Sequence, residues 1–350
     1  MKMRPLGRSG LSVSAICLGT MTFGEQNDEA EGFAQMDLAV EHGVNFFDTA
    51  ELYPIPPKRG TQGRTEEIVG AWLADRGRRD DIVLATKVIG RSEMRWFRDD
   101  GSEGRLTRGQ IMEAVEKSLR RLRTDYIDLY QIHWPERPMP GFGSNPTRWS
   151  APPKLDDEAA IEEILPVFGE LVASGKVRHV GLSNESPWGV MRHVFAAETG
   201  KGPRVVSLQN AYSLVNRTFE GGLAEVCARE EIGFIPYSPL AQGYLTGKYQ
   251  GGALPVGSRK QLFDRLQRYE KPGAAEAFSD YVRIARDFGV DPALFANAFV
   301  TSRPFVTANI VGATSVEQLK LALASADFAF TRKMEAAVDA VHQLRGNPCP

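Results

Sequence analysis

The sequence predicts an α/β protein in which eight parallel strands and their helices close into a (β/α)8 TIM barrel. Three observations lead there. Strand-like apolar runs alternate with amphipathic helical runs from end to end, the strand-like runs number eight, and polar residues of several types stand at the ends of consecutive ones. An open doubly wound sheet would fit eight βα units less well, and a barrel commonly fills a chain of 350 residues as one unit, so a single domain over 1–350 is expected.

The strands are expected at 16–19, 45–48, 82–87, 127–133, 177–183, 205–209, 234–237 and 310–312. Helical patterns lie between them at 30–42, 65–75, 108–123, 157–174, 187–198, 222–231, 275–288 and 315–325. Each carries apolar residues at helical spacing, as Ile111, Val115, Leu119 and Leu122 do in the third. Asp291 as cap and Pro292 in the first turn open an extra helix before the last strand, and a final helix at 332–344 ends before Gly346 and two prolines. Two connections are long, 89–107 after strand three and 134–155 after strand four. Both are expected over the mouth of the barrel, with Trp96, Phe97, Trp134, Phe142 and Trp149 as candidate pocket walls or as pins for the loops.

Composition narrows the function classes. With 42 Lys and Arg against 44 Asp and Glu, the net charge of −2 offers no clustered basic face for nucleic acid. The densest basic run, Arg120, Arg121 and Arg123, closes a helical pattern and is read as complementing the helix dipole. Cys17, Cys227 and Cys349 have neither paired nor zinc-type spacing, which suits reduced thiols in a reducing compartment. Lys2, Arg4 and Arg8 before the apolar stretch 11–23 resemble a weak signal peptide, but Ser12, Ser14 and the lack of a small-x-small site oppose it. No run approaches a membrane span, so a cytoplasmic location is expected.

Barrel enzymes place their chemistry at the C-terminal ends of the strands. Asp48 ends strand two, Lys87 strand three and His133 strand four, while Tyr53 lies five residues beyond Asp48 in the loop above the same strand end. A tyrosine is a poor acid at neutral pH until a cation stabilises its phenolate. Lys87 is placed to be that cation and to lower the Tyr53 pKa by about one to three units, each worth about 1.4 kcal/mol. Asp48 would keep Lys87 charged, and His133 would orient a substrate oxygen. Such a set donates a proton to an oxygen that gains negative charge. It contains no nucleophile and no metal cage.

The motifs Asp48-Thr-Ala-Glu-Leu-Tyr53, Thr86-Lys87 and Gln131-Ile-His133 resemble the catalytic tetrad of the aldo-keto reductases, and the resemblance covers essentially the whole chain. Tyr53-Pro-Ile-Pro-Pro57, Thr61-Gln62-Gly63 and Met21-Thr-Phe-Gly-Glu25 look most like its bacterial Tas-like branch. The resemblance implies a (β/α)8 barrel, NADPH as cofactor, a small carbonyl substrate, Tyr53 as proton donor, Lys87 and Asp48 as its tuners and His133 as the group placing the carbonyl. Tyr53, Trp96, His133 and Trp134 would line the substrate pocket.

No strand is followed by G-x-G-x-x-G, and the stretch from Gly243 to Lys248 lacks the full P-loop pattern, so a nucleotide must bind along the barrel rim. By the resemblance, Ser183, Asn184 and Gln209 hold the nicotinamide carboxamide, Tyr237 stacks on the nicotinamide face, and Asp48 also belongs to the cofactor site. Ser238, Pro239, Leu240, Gln242, Gly243 and Lys248 cover the pyrophosphate, with Arg259 as a second clamp and Thr20 and Met21 at the first strand end. The resemblance places Gly312, Thr314 and Gln318 around the adenosine 2′-phosphate, at a helix N-terminus suited to phosphate. Position 322 is alanine where the family commonly has asparagine, and 312–319 holds no lysine or arginine, so NADH stands as the alternative to NADPH.

Two other functions fit the same barrel less well. A slowly turning over, cofactor-bound sensing module would not need an intact tetrad, and a metal-dependent hydrolase would need clustered ligands, whereas of the five histidines, at 42, 133, 179, 193 and 342, only His133 ends a strand. A serine hydrolase is opposed by Gly181-Leu-Ser-Asn-Glu185, which lacks the closing glycine of a nucleophile elbow.

Overall fold

The computed structural model describes residues 1–139, 151–153, 155–265 and 267–350. It opens with an antiparallel hairpin that the sequence did not reveal, β1 (Met3–Pro5) and β2 (Ser12–Ser14), with Met3 opposite Ser14. Strands of three residues are too short to carry a periodic signal. The hairpin carries Leu6 and Val13, both fully buried, against Cys17, Phe46, Ala85, Leu129, Val206 and Ile235, and so plugs the N-terminal end of the barrel. Gly7, at φ +53°, makes the close approach possible: a Cβ there would stand 2.5 Å from the Val206 carbonyl oxygen and 2.6 Å from that of Glu231.

The barrel units follow in order: β3 (Ile16–Gly19), α1 (Glu29–Glu41), β4 (Phe46–Asp48), α2 (Arg64–Arg76), β5 (Val83–Val88), α3 (Arg108–Leu122), β6 (Ile127–Ile132), α4 (Ile161–Ala173), β7 (Val177–Ser183), α5 (Pro187–Glu198), β8 (Val205–Gln209), α6 (Leu223–Arg229) and β9 (Gly233–Phe234). The C-terminal part adds α7 (Arg259–Phe263), α8 (Ala274–Asp287), α9 (Pro292–Ser302), β10 (Asn309–Val311), α10 (Val316–Ala324) and α11 (Arg332–Arg345). Strand order is β10-β3-β4-β5-β6-β7-β8-β9, every pair parallel. Thr307 N donates to Phe234 O at 2.7 Å and Ile310 N to Pro236 O at 2.9 Å, which joins the two ends of that order. The expected (β/α)8 barrel is the observed architecture.

Boundaries differ where local chemistry intervenes. The seventh barrel strand is Gly233–Phe234 rather than 234–237: Ile235 N and Tyr237 N still donate to Leu208 O at 2.9 Å and Asn210 O at 3.2 Å on the β8 side, but Pro236 has no N–H to donate on the β10 side, so the pairing there is incomplete. His133 stands one residue past β6 rather than inside it. Helix α4 begins at Ile161, not at 157: Asp157 is drawn off by Arg91 and Arg105, and the Glu163 carboxylate accepts from Ala160 N at 3.1 Å to start the helix there. Asp291 does cap α9, accepting from Ala293 N at 2.7 Å. In the basic run, Arg121 is not a surface complement to the helix dipole. Its Nε donates to the fully buried Glu66 at 2.7 Å.

Period-two alternation positions the site. Phe46, Ala85 and Leu129 fill the lower barrel interior, and Asp48, Lys87 and Gln131, two residues further along each strand, occupy the same inward face nearer the top. Phe47, Leu84, Tyr130 and Ile132 point outward into the helical layer. Residues 140–150 and 154 of the second long loop, and with them Phe142 and Trp149, lie outside the described residues. Among the described residues no helix is long and apolar enough to cross a membrane.

Candidate active site

Lys87 is fully buried, and its Nζ donates to Asp48 Oδ2 at 2.6 Å, to the Thr49 carbonyl at 2.9 Å and to Tyr53 Oη at 3.2 Å. Asp48 Oδ1 accepts from Gln131 Nε2 at 3.0 Å and from Gln209 Nε2 at 2.8 Å, so both carboxylate oxygens are engaged. Burial opposes the Lys87 charge, yet Asp48 and then Tyr53 favour it and leave its pKa above the usual value. The lysine is therefore a fixed cation.

The structure corrects one expectation about Tyr53. Burial is the largest influence on its phenol and outweighs the pull of Lys87, so its pKa is raised, not lowered. Sequence cannot show that a loop tyrosine is only 8% exposed. His133 packs edge-on against the Tyr53 ring, centroids 5.7 Å apart, and burial followed by the nearby Lys87 holds its pKa well below 6.5. The imidazole is thus neutral. Its Nδ1 is buried with no hydrogen-bond partner among the described residues.

Asp48, Tyr53 and His133 line the floor of a cleft of about 1010 Å³ along the strand ends, with Lys87 behind Tyr53. All the residues expected around a nicotinamide nucleotide line the same cleft: Thr20, Met21, Asp48, Ser183, Asn184, Gln209, Tyr237, Ser238, Pro239, Leu240, Gln242, Gly243, Lys248, Arg259, Gly312, Thr314 and Gln318. Tyr237 Oη donates to Asn184 Oδ1 at 2.6 Å, and Asn184 Nδ2 donates to the His133 carbonyl at 2.9 Å, tying the expected stacking ring to the tetrad. Asn184, Ser238 and Gln242 hold positive φ of 53°, 61° and 54°, so unusual backbone collects on this rim, as it does at functional sites. Ser315 caps α10 by accepting from Gln318 N, and Gln318 Oε1 accepts from Thr314 N and Oγ1, both at 3.1 Å.

An apolar stretch of the cleft is walled by Met21, Leu52, Ile55, Pro57, Met94 and Trp134. Trp96 does not line it. It stacks on Phe97 instead, centroids 5.8 Å apart, in the apolar cluster that also holds Leu52 and Tyr53. Sequence reasoning did not single out Gln26, Arg265 and Arg268, which line the cleft, nor the buried pair of Glu51 and Arg98. Arg268 lies beside Tyr237, Nη1 to Oη 3.4 Å. Only the loose basic content of 259–268 hinted at these arginines. Among the described residues no group of three or more His, Cys, Asp or Glu could hold a metal.

A parallel barrel with a tyrosine hydrogen-bonded to the lysine of a buried ion pair, at the floor of a long rim cleft, is the architecture of an oxidoreductase. The chain belongs to the aldo/keto reductase family, whose model matches residues 15–343. It is similar to Protein tas of Escherichia coli K12, 45% identical over 354 residues and 100% of each chain, which places it on the Tas-like branch. The uncharacterized oxidoreductase YrpG of Bacillus subtilis is 34% identical over 99% of this chain and 97% of its own. A probable voltage-gated potassium channel subunit beta of Arabidopsis thaliana is 31% identical over 91% of this chain and 89% of its own.

Proposed function

We propose that the protein is an NADPH-dependent reductase of aldehydes or ketones, acting in the cytoplasm as one barrel domain over 1–350. The observation that carries this reading is the 3.2 Å hydrogen bond from Lys87 to a Tyr53 hydroxyl that faces the cleft. When bound, the dihydronicotinamide would supply a hydride, one hydrogen nucleus with two electrons, for a carbonyl carbon. Tyr53 Oη gives its proton to the carbonyl oxygen as negative charge builds there, and Lys87 stabilises the phenolate left behind. The neutral His133 ring retains one N–H to hold the same oxygen. Asp48 keeps Lys87 protonated throughout the exchange.

Charge supports the phosphorylated cofactor. Lys248, Arg259, Arg265 and Arg268 all line the cleft, so cations missing from 312–319 are supplied from across it. Arg259 donates to Gln26 at 3.4 Å, next to Asn27, whose side chain bonds the Thr314 carbonyl at 3.0 Å, so it stands opposite the strand-eight loop. Burial pulls the Arg259 pKa down, and among the described residues no carboxylate pairs with it, which suits a cation that meets a phosphate. The fit of a dinucleotide to these residues is chemical: amides for a carboxamide, a ring for stacking and cations for phosphates.

The test is titration with NADPH and NADH, followed by a panel of aldehydes and ketones with each. Failure to bind either nucleotide would sink the reading. The likeness to potassium channel beta subunits favours a second reading, a cofactor-bound module of slow turnover. Steady turnover well above one per minute excludes that one.

A further inference from the structure

Glu51 sits between Asp48 and Tyr53, and its side chain turns away from the cleft to meet Arg98, from the loop after β5. Arg98 Nη1 donates to Oε2 at 2.9 Å and Nη2 to Oε1 at 3.1 Å, a bidentate pair whose two side chains are 1% and 0% exposed. Oε1 also accepts from Ile89 N at 2.8 Å, just past the end of β5, and the Glu51 carbonyl accepts from Gln62 at 2.6 Å. On the other side Arg98 Nε donates to Gln110 Oε1 at 3.2 Å, at the start of α3.

Removing two charges from water costs several kcal/mol, and buried pairs often give no net stability, so their best-attested use is to select one register of the parts they join. The parts joined here are the segment carrying Tyr53 and the loop carrying Met94 and Phe97. Phe97 packs with Leu52 and Tyr53, and Met94 lines the cleft. The backbone of the Tyr53 segment meets β5 through Thr49 N to Ala85 O at 2.9 Å and Glu51 N to Lys87 O at 3.2 Å; Tyr53 itself is tied through Ala50 and Gly63, and the Glu51 side chain adds the link to Ile89 N and, through Arg98, to the loop carrying Phe97.

We propose that the Glu51–Arg98 pair is a positioning device: it locks the segment bearing Tyr53, already bonded to β5 through its backbone, against the loop carrying Met94 and Phe97, so that the hydroxyl meets both Lys87 and the substrate oxygen. Neither residue touches substrate. The inference rests on the reading of Tyr53 as proton donor. Misplacement of a reacting group by about 1 Å costs on the order of a hundredfold in rate.

The experiment compares wild type, Glu51→Gln, the double variant Glu51→Gln/Arg98→Met, and Tyr53→Phe. The double variant removes both charges together, so it keeps the question answerable if the single variant leaves Arg98 stranded and unfolds. Thermal melting and NADPH fluorescence titration check the fold and the cleft, and kcat, KM and the solvent deuterium isotope effect with a reactive aromatic aldehyde check the proton donor. The expected result is a kcat lower by about tenfold or more, a larger solvent isotope effect, and an NADPH Kd within about twofold of wild type. A merely structural pair would leave the isotope effect unchanged. A double variant with wild-type kcat, or one whose kcat falls with no change in isotope effect, overturns the inference while an active wild type and an inactive Tyr53→Phe leave the underlying reading intact. A wild type without turnover, or a fully active Tyr53→Phe, overturns both.

Discussion

The ammonium of Lys87 lies 2.6 Å from a carboxylate oxygen of Asp48, the lysine fully buried and the aspartate 2% exposed. Replacing Asp48 with Asn keeps the size and much of the hydrogen bonding but strands the cation. Breaking one side of such a pair costs about 3–5 kcal/mol, so urea unfolding of Asp48→Asn is expected to show a loss of that size. The double variant Asp48→Asn/Lys87→Met removes the stranded charge and is expected to recover part of the stability but none of the activity. Equal stability of wild type and Asp48→Asn would mean that Lys87 is neutral in the folded protein.

Tyr53→Phe tests the donor directly. Removing one oxygen from the cleft floor is expected to lower kcat by about a hundredfold to ten-thousandfold, the usual worth of general acid catalysis. NADPH affinity should stay close to wild type. Because burial raises the Tyr53 pKa, the phenol keeps its proton throughout the neutral range, and His133 is already neutral there. The kcat profile is therefore expected to be flat from about pH 6 to 9 and to fall only as the tyrosine ionises, above its ordinary value near 10. A bell centred near pH 7 would assign the proton to another group.

How much of this was legible in the sequence follows from what each feature depends on. Asp48, Lys87 and His133 were legible because a strand end is a local property, and two-residue alternation then fixes which side chains face inward. Glu51 and Arg98 were not, since nothing local links residues 47 apart in the chain. The N-terminal hairpin was hidden by its short strands, and the direction of the Tyr53 shift by its dependence on burial. The cations of the cleft lay between these extremes. Arg259 is visible as a charge in sequence, but only the folded chain sets it opposite Thr314.

Stability should depend on pH through the buried histidines. His133 and His193 have pKa values lowered chiefly by burial, 6% and 3% exposed respectively, while in the unfolded chain each returns to about 6.5. Below that value the unfolded state binds more protons than the folded one, so stability is fully present above about pH 6.5 and is lost as pH falls toward the folded values. The slope approaches about 1.4 kcal/mol per pH unit for each histidine. Melting temperatures between pH 7.5 and 5.5 should fall accordingly, and His193→Phe should flatten the slope by one histidine's share. An unchanged slope in that variant would show that His193 becomes protonated in the folded protein.

Arg259 and Gly243 give separate tests of the two ends of the proposed cofactor. Arg259→Ala is expected to raise the NADPH Kd by about ten- to a hundredfold, the worth of a lost charge-assisted contact, and the NADH Kd by no more than about threefold. Gly243 acts through a different cation. At φ +104° it adopts backbone that side chains rarely take, and a Cβ there would stand 2.6 Å from Lys248 Cε and 3.0 Å from its Nζ. Gly243→Ala therefore adds about 1–3 kcal/mol of strain and displaces the lysine. If Lys248 meets the pyrophosphate, which both nucleotides carry, the two affinities should fall by the same factor. Fluorescence titrations with NADPH and NADH decide it: a loss confined to NADPH would transfer the 2′-phosphate from Arg259 to Lys248.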